Sequence, residues 1–239
     1  MKNWFKLFLD TILPPRCLLC GKVVHSDNVL CKDCFSDINF ISHPYCQHCG
    51  KPLTSTIIDE FYCVDCLSKK DPFRMCRAAV KYDNYSKKLI LDFKFNDHLE
   101  NKILLTRWLY MAGKDIFDAG VDLIIPVPLH YLRLLKRKYN QSAVLAAELG
   151  KITNIEVNYK TLRKSKHTKP QVKCDGKQRI KNIHHAFDVK HSELIKGKRI
   201  VLIDDVFTTG ATLKECAKVL KKAGAKSIDA LTVAKVCDN

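Results

Sequence analysis

The sequence contains no hydrophobic run long enough to cross a membrane. Its apolar N-terminal stretch, residues 4–15, is interrupted by Lys6 and Asp10 and has no small-residue cleavage site, so a secretory signal peptide is not predicted. Four apolar residues of this stretch lie at helical spacing: Phe5, Phe8, Leu9 and Ile12. We interpret it as a helix docked on the protein. A membrane-surface anchor is the alternative, and membrane contact is not expected because few positive charges accompany the apolar face.

Acidic residues are scarce relative to basic ones. The 239-residue chain has 25 Asp and Glu against 41 Lys and Arg, a formal net charge of +16. The excess is uneven, because residues 1–75 hold nine basic and eight acidic side chains, whereas residues 130–199 hold eighteen and five. A basic surface attracts phosphate-bearing partners, and here it belongs to the later part of the chain.

Cysteines are abundant although no secretory signal accompanies them. Of the twelve, eight form four Cys-x-x-Cys pairs: Cys17/Cys20, Cys31/Cys34, Cys46/Cys49 and Cys63/Cys66. Each pair is a tight turn that presents two thiolates to one tetrahedral metal ion. We therefore predict two structural zinc ions in a cytoplasmic protein rather than disulfides. The remaining cysteines have no partner spacing and are interpreted as ordinary thiols: Cys76, Cys174, Cys216 and Cys237.

Two ways of combining the four Cys-x-x-Cys turns into two metal sites remain open. Sequential pairing joins the first turn to the second and the third to the fourth, whereas cross-bracing interleaves them. The order Cys-x-x-Cys-Gly-Lys occurs at both 17–22 and 46–51, which favours two copies of one ribbon and hence sequential pairing. His43 and His48 lie close by in sequence, but four thiols complete each shell, so we interpret both as bystanders.

The stretch 199–212 has the most specific pattern in the chain. Consecutive branched apolar residues at 200–203 predict a strand buried on both faces of a parallel sheet. We expect this strand to end at Asp204 and Asp205. A Thr/Gly-rich turn follows, and an amphipathic helix then runs to about Gly224.

This strand, loop and helix predict a ligand site. Ligands of open parallel sheets bind beyond the carboxyl ends of the strands, and a helix N-terminus favours an anion. A phosphate fits the loop Thr208, Thr209, Gly210, Ala211 and Thr212, where Gly210 permits close approach and the hydroxyls donate. The Asp204 and Asp205 carboxylates accept from a diol. Phosphate at one end and diol at the other describe a ribose 5-phosphate.

Several further segments of residues 71–239 show regular patterns. Strands are predicted at 77–82, 122–127, 186–189 and 227–235. Helices are predicted after Ser86, which we expect to be the N-cap, over 101–113 and over 142–150. The strand at 122–127 enters a Pro-stiffened loop, followed by a basic run at 133–141. That run is either a solvated helix face or a ligand contact. Residues 161–183 are basic and poor in large apolar residues, which is typical of a mobile loop or lid.

These motifs together resemble the ComF/GntX family over nearly the whole chain. The resemblance rests on the two Cys-x-x-Cys ribbons, Pro-Val-Pro-Leu-His at 126–130, Arg-Lys-Tyr-Asn-Gln at 137–141, the spacing of Gln171, Arg179, Asn182 and Phe187, and Ile-Asp-Asp-Val-Phe-Thr-Thr-Gly-Ala-Thr at 203–212. It implies an α/β fold with a type I phosphoribosyltransferase-like parallel sheet flanked by helices, preceded by a small zinc-ribbon domain in which four cysteines hold each ion. We expect the N-terminal helix and double zinc ribbon at 1–70 and the phosphoribosyltransferase-like domain at 71–239.

The resemblance also implies residue roles. In type I phosphoribosyltransferases the ligand is phosphoribosyl diphosphate (PRPP) with magnesium. Asp204 and Asp205 would bind its ribose hydroxyls or the metal, and Thr208–Thr212 its 5-phosphate. The loop Val127, Pro128, Leu129 and His130 would face the diphosphate. Arg163, Lys164 and Arg179 are candidates for stabilising the leaving charge. One departure is Thr208, where purine phosphoribosyltransferases place an acid, so a general acid–base role is not assigned.

Three functions fit these patterns. The family implies a cytoplasmic protein of natural transformation that handles incoming single-stranded DNA beside competence-machinery proteins, such as a helicase or a DNA-processing protein. Aromatic residues near the basic stretch are few, which favours electrostatic, sequence-tolerant binding. An active phosphoribosyltransferase of nucleotide metabolism or salvage is the alternative, and a PRPP-sensing regulator is the third.

Overall fold

The computed structural model describes residues 13–53, 62–68, 71–95, 99–130, 134–135, 137–165 and 186–237. The predicted N-terminal helix, Arg179 and most of the predicted lid lie outside these residues. The described strands are β1 (Cys76–Lys81), β2 (Leu123–Pro126), β3 (Leu162–Lys164), β4 (Phe187–Val189), β5 (Arg199–Phe207) and β6 (Ser227–Lys235). The α-helices are α1 (Lys32–Ser36), α2 (Val64–Ser68), α3 (Asn84–Phe95), α4 (Asn101–Ala112), α5 (Lys114–Asp118), α6 (Gln141–Thr153) and α7 (Ala211–Lys222), with a 3-10 turn at Ser192–Leu194.

The N-terminal part folds as two copies of one small ribbon. In the first copy Arg16 bridges Val23 in antiparallel fashion around the Cys17 turn, and in the second Tyr45 bridges Pro52 around the Cys46 turn. The amide of the first cysteine donates to the carbonyl of the following lysine at 2.8 Å in both copies. The glycine after each turn has a positive φ, +76° at Gly21 and +67° at Gly50. The repeated Cys-x-x-Cys-Gly-Lys order therefore encodes one repeated backbone geometry.

A four-stranded parallel sheet forms the centre of the second part. Its strand order is β1-β6-β5-β2. Strands β3 and β4 make a separate antiparallel pair. The order is not sequential, because helices cross over between parallel strands on the faces of the sheet.

The sheet is covered on both faces. One core joins α3, α4 and α6 with Val201 and Ile203 of β5, and it includes the first ribbon through Leu19 and Ile38. The other core joins α7 and the β3–β4 pair with the neighbouring residue Leu202. Alternate residues of the apolar run in β5 thus enter opposite cores, which is why the run lacks polar residues.

Two predicted boundaries were wrong. Strand β5 does not end at the acidic pair, because β6 continues beside it and pairs Asp204 with Thr232 and Phe207 with Lys235. Helix α3 is not capped by Ser86. Its first turn is capped by Asp83, whose Oδ1 accepts from the Ser86 amide at 3.0 Å. The other strands and helices predicted on described residues are found within a few residues of their expected ends, and β6 has the predicted bounds. The first residues of the predicted lid instead form strand β3.

The chain between the ribbons and the sheet is fixed by one buried carboxylate. Asp229, at the start of β6, has no solvent exposure and accepts two bonds from Arg74, at 3.0 and 2.6 Å. Its Oδ1 also accepts from the Met75 amide at 3.0 Å. Nearby, Asp71 pairs with Lys214 of α7 at 2.7 Å. The domain boundary at 70/71 stays a prediction, but Asp71, Arg74 and Met75 already contact the sheet or its helices.

Candidate functional site

The acidic pair lies at the carboxyl edge of the sheet. Strand β2 ends at Pro126, which pairs with Ile203, so Asp204 and Asp205 extend beyond their neighbouring strand on that side. The Asp204 Oδ1 accepts from the Ser142 hydroxyl of α6 at 2.9 Å and from the Asp205 amide at 2.9 Å. The pair is therefore held in place by its own backbone and by the start of α6.

A lysine that the sequence did not single out as a site residue faces the pair. Lys94, near the end of α3, lies 3.0 Å from the Asp205 Oδ1, and both side chains are largely buried. The Lys94 carbonyl accepts from the Gln141 amide nitrogen at 3.2 Å. One residue earlier, the Phe93 carbonyl accepts from the Tyr139 hydroxyl. These contacts fix the end of α3 against the start of α6, so Lys94 reaches the acidic pair from a fixed backbone.

The environment of Asp204 disfavours its charged form. Burial and the neighbouring Asp205 charge raise the pKa of the Asp204 carboxyl to about 7. The bond from Ser142 opposes this increase only in part. A perturbed carboxyl next to a lysine at a sheet edge is typical of a ligand site.

We expect this pKa to appear as a slow loss of stability with rising pH. An unfolded Asp titrates near about 3.9, so the folded protein binds more protons from about pH 4 up to its own pKa. The carboxyl therefore makes unfolding progressively easier over that interval. Carboxyl 13C shifts of Asp-labelled protein should show one group with a midpoint near about 7. The Asp204→Asn variant should lack this group and the associated slope in unfolding free energy. Persistence of the midpoint in that variant would contradict the assignment.

The Thr/Gly loop connects β5 to the N-terminus of α7. Thr208 and Thr209 are exposed, and Gly210 is the N-cap with φ +70°. The first turn of α7 is joined to the loop by the Lys214 amide, which donates to the Gly210 carbonyl at 2.8 Å. The Thr209 hydroxyl accepts from the Ala211 amide at 3.4 Å. Exposed hydroxyls beside the first amides of a helix form an anion-binding arrangement.

Gly210 is required for a steric reason as well. A Cβ placed on it would lie 2.3 Å from the Cζ of Phe207 and 3.0 Å or less from two more ring atoms. The ring of Phe207, the last residue of β5, therefore packs directly under the loop. Any other residue at 210 would have to displace that ring and adopt a left-handed backbone.

The Pro-stiffened loop contributes fewer free groups than expected. Val127 is buried, its amide donates to the Ile203 carbonyl at 2.9 Å, and its carbonyl accepts from the Asn140 side chain at 3.0 Å. His130 is also buried. Since the backbone of Val127 is fully used, a ligand contact from this loop would come from residues 128–130.

The basic run before α6 has a structural role that neither interpretation included. Asn140 caps α6, since its Oδ1 accepts from the Ser142 amide at 3.1 Å, and it also holds Val127. Gln141 accepts from Arg137 at 3.2 Å while donating to the end of α3. The run thus connects the two segments that meet at the acidic pair.

Three basic residues were candidates for stabilising the leaving charge, and the structure describes two of them, Arg163 and Lys164. Their surroundings differ. Arg163 of β3 is exposed and donates to the Lys160 carbonyl at 3.3 Å. Lys164 lies over the Phe187 ring at 5.2 Å from its centroid. Burial raises the pKa of the Cys216 thiol, and Asp204 raises it further while Lys164 lowers it. Lys164 and Asp204 therefore act on the same buried group of α7, whereas no contact places Arg163 beside the acidic pair.

Two four-cysteine clusters are present, and both follow the sequential pairing. Cys17, Cys20, Cys31 and Cys34 form one, and Cys46, Cys49, Cys63 and Cys66 form the other, with the sulfurs of each cluster within 4.8 Å of one another. Four thiols at this separation fit a tetrahedral zinc ion. The structure supports the ribbon interpretation over cross-bracing.

The first thiol of each cluster favours its thiolate form. The Cys31 amide donates to the Cys17 sulfur at 3.2 Å, and the Cys63 amide donates to the Cys46 sulfur at 3.3 Å. Burial alone would raise both thiol pKa values, but backbone donors lower the pKa of Cys17 to about 6 and that of Cys46 to about 7. Thiolates are the form that binds zinc, so the backbone favours the ligand state.

His48 is not one of the four clustered groups, but it contacts one of them. Its Nδ1 lies 3.5 Å from the Cys66 sulfur, and its Nε2 lies 3.0 Å from the Phe73 carbonyl. The ring thus contacts a zinc ligand on one side and the segment leading into β1 on the other, an arrangement that orients ligands in metal sites. His43 instead stacks on Tyr45 at 4.0 Å between ring centroids.

Within the described part of the chain, none of the helices combines the length and the apolar character needed to cross a membrane. This finding concerns only the helices described above.

Comparison with known families matches both parts of the chain. Residues 8–67 match the double zinc ribbon domain, and residues 138–238 match the phosphoribosyl transferase domain. The fold and the site thus define a phosphoribosyltransferase-fold protein that carries a double zinc ribbon. Competence protein F of Haemophilus influenzae is 32% identical over 229 residues, which cover 92% of this chain and 96% of that protein. The chain belongs to the ComF/GntX family of competence proteins, as its motifs predicted.

Other relatives are more distant. Competence protein ComFC of Streptococcus pneumoniae is 26% identical, covering 92% of this chain and 100% of that protein. The DNA utilization protein YhgH of Escherichia coli K12 is also 26% identical, covering 89% of this chain and 86% of that protein. Among solved structures, orotate phosphoribosyltransferase from Aeropyrum pernix is 18% identical with a TM-score of 0.37, covering 66% of this chain and 80% of that one. No residue role is taken from that similarity.

Proposed function

We propose that this ComF-type protein binds PRPP, or a similar ribose phosphate, with magnesium at the carboxyl edge of its sheet. The observation that carries the proposal is the convergence of the acidic pair, the buried Lys94 and the α7 N-terminus. Asp204 and Asp205 would accept from the ribose hydroxyls or hold magnesium. The loop 208–212 would take the 5-phosphate through hydroxyls and amides.

The Lys94 ammonium neutralises Asp205 at 3.0 Å. When magnesium or a ribose diol binds to the acidic pair, the Lys94 side chain leaves Asp205 and turns toward the negative charge of the bound diphosphate. Bound magnesium would neutralise part of that charge. The loop 128–130 and Lys164 would supply the remaining contacts to the diphosphate, with Arg163 and Arg179 as the other cationic candidates.

The second part of the proposal is single-stranded DNA binding during DNA uptake. The relatives are named competence and DNA utilization proteins. Residues 130–199 carry the basic excess, and three of these side chains are exposed on or next to the β3–β4 pair: Lys160, Arg163 and Lys190. We place the protein in the cytoplasm, since zinc on free thiols suits a reducing compartment. Its partners there would be competence-machinery proteins such as a helicase or a DNA-processing protein.

We expect binding of single-stranded DNA to fall steeply with salt. Four neutralised phosphates give a slope of about −3 in log K against log salt, because each contributes roughly −0.7 on a single strand. The variant Lys160→Gln/Arg163→Gln/Lys190→Gln should bind more weakly with a shallower slope. Lys218→Gln/Lys222→Gln/Lys226→Gln makes the same charge change at exposed positions outside the basic stretch and is the control. Filter binding at several salt concentrations measures both.

An equal loss of affinity for single-stranded DNA in both variants would mean that only the total charge matters. Absence of DNA binding at low salt would exclude the DNA proposal. Calorimetric titration with PRPP and magnesium, with and without the DNA, tests the ligand proposal independently. An active phosphoribosyltransferase is not favoured, because the relatives are named for competence and DNA utilization and the loop has a hydroxyl at Thr208. Release of diphosphate from PRPP in the presence of bases or amines would reverse that preference.

A further inference from the structure

One buried cation connects the second zinc cluster with the loop 208–212. Lys235, the last residue of β6, is only 7% exposed. Its ammonium donates to the Cys49 carbonyl at 3.1 Å, and Cys49 is a ligand of the second cluster. A buried lysine needs such partners, because an unpaired ammonium in the interior is strongly unfavourable.

The same ammonium also contacts the support of the loop. It lies 3.8 Å from the ring centroid of Phe207, within cation–π distance. Phe207 is in register with Lys235 across β5 and β6, and its ring packs under Gly210. A continuous series of contacts therefore runs from the Cys49 carbonyl through Lys235 and Phe207 to the N-cap of α7.

The second ribbon is fixed against β1 at this point. The Gln47 carbonyl accepts from Arg77, and the His48 carbonyl accepts from the Cys76 amide at 2.7 Å. A Cβ at Gly50 would lie 2.6 Å from the Cys76 carbonyl oxygen, so this turn packs closely on the strand. Four consecutive residues, 47–50, thus contact the sheet, and displacement of the turn would be transmitted to Lys235.

The first ribbon offers a natural comparison. It also receives a hydrogen bond from a lysine, since Lys88 of α3 donates to the Leu19 carbonyl at 2.7 Å. That lysine belongs to the helix on the α3 face of the sheet and has no described contact with Phe207 or Gly210. The two zinc clusters are thus attached to the second domain by similar bonds in different places.

We propose that Lys235 is a positioning residue that couples the second zinc cluster to the loop 208–212. The proposal rests on the proposed function, because it assumes that this loop binds the 5-phosphate of PRPP. With the second cluster formed, the Cys49 carbonyl holds the Lys235 ammonium over Phe207, and the ring keeps Gly210 in its left-handed conformation. Coupling between two binding sites is reciprocal, so bound PRPP must in turn raise the zinc affinity of the second cluster.

The test compares Lys235→Met with Lys88→Met in the full-length zinc-loaded protein. PRPP affinity is measured by calorimetry with magnesium, and the extent of zinc release is titrated at equilibrium against a chromogenic chelator with and without PRPP. Lys235→Met should weaken PRPP binding about tenfold, and Lys235→Arg should recover most of that loss. Lys88→Met should bind PRPP as the wild type does. In the wild type PRPP should raise the zinc affinity of one of the two clusters by about the same factor, and Lys235→Met should lose that effect.

Phe207→Leu provides a second variant if Lys235→Met does not fold, as judged by circular dichroism. It keeps the bond to Cys49 but removes the ring, and should also weaken PRPP binding and abolish the effect of PRPP on zinc release. Equal PRPP affinity in the wild type and Lys235→Met would overturn the coupling alone. The coupling is likewise overturned if PRPP leaves the zinc affinity of both clusters of the wild type unchanged. Failure of the wild type to bind PRPP would overturn the proposed function, and the coupling with it.

Discussion

Replacing Asp204 and Asp205 together by Asn is expected to weaken PRPP binding more than about 100-fold, while two zinc ions per chain are retained. The substitutions remove both negative charges that would hold magnesium or the ribose hydroxyls, and they leave Lys94 without its counter-ion. Loss of two charge-assisted hydrogen bonds, at about 1.5–3 kcal/mol each, accounts for an effect of this size. Calorimetry with PRPP and magnesium measures the affinity, and metal analysis measures zinc.

Folding of this variant is checked apart from binding by circular dichroism and by its zinc content. The Asn side chain has the shape of Asp, and its carbonyl oxygen can still accept from the Ser142 hydroxyl. Because burial and Asp205 raise the pKa of Asp204, removing the Asp204 charge should not destabilise the protein, whereas removing the Asp205 charge leaves the largely buried Lys94 unpaired and should lower stability. Asp118→Asn/Glu193→Gln makes the same charge change at exposed positions and should leave PRPP binding unchanged. An unchanged affinity in the Asp204/Asp205 variant would refute the site.

Removing one complete zinc cluster should remove one zinc ion and leave the other. In the sequential arrangement, Ser at Cys17, Cys20, Cys31 and Cys34 abolishes the first cluster only. Ser at Cys17, Cys20, Cys46 and Cys49 takes two ligands from each cluster, so both ions should be lost. The effect is large, because a structural zinc site contributes about 10–16 kcal/mol of binding free energy that is linked to folding.

Both four-cysteine variants change the same number of thiols, so each is the control of the other. Zinc per chain, measured on purified protein, should be one for the first variant and none for the second. A cross-braced arrangement that joins the first turn to the third and the second to the fourth predicts the opposite result. That outcome would contradict the pairing seen in the structure.

Several features were predictable because their signal is local in sequence. A Cys-x-x-Cys turn places two thiols together through backbone geometry alone, so the eight cysteines of the two clusters were identified from spacing. The apolar run at 200–203 indicated a strand covered on both faces, and the alternation of its residues between two cores confirms this. Gly210 between threonines marked the start of α7, since a left-handed N-cap favours glycine.

Other features depend on contacts between distant segments. Nothing near Lys94 in the sequence indicates that it pairs with Asp205, because α3 and β5 meet only after α6 has fixed the end of α3. The choice between sequential and cross-braced zinc also required the fold, since any two Cys-x-x-Cys turns can complete a tetrahedral shell.

For the acidic pair, too, some properties could be predicted from the sequence and others depend on the tertiary structure. Its position after an apolar run was enough to predict acceptors at the edge of a parallel sheet. Its protonation and its counter-ion were not predictable, because the pKa of Asp204 and the partner of Asp205 depend on burial and on side chains from other elements. Lys235 is the least predictable of these residues, because it is the last residue of a strand and no sequence motif surrounds it. Only the pairing of β6 with β5, and the docking of the second ribbon on β1, bring its ammonium between Cys49 and Phe207.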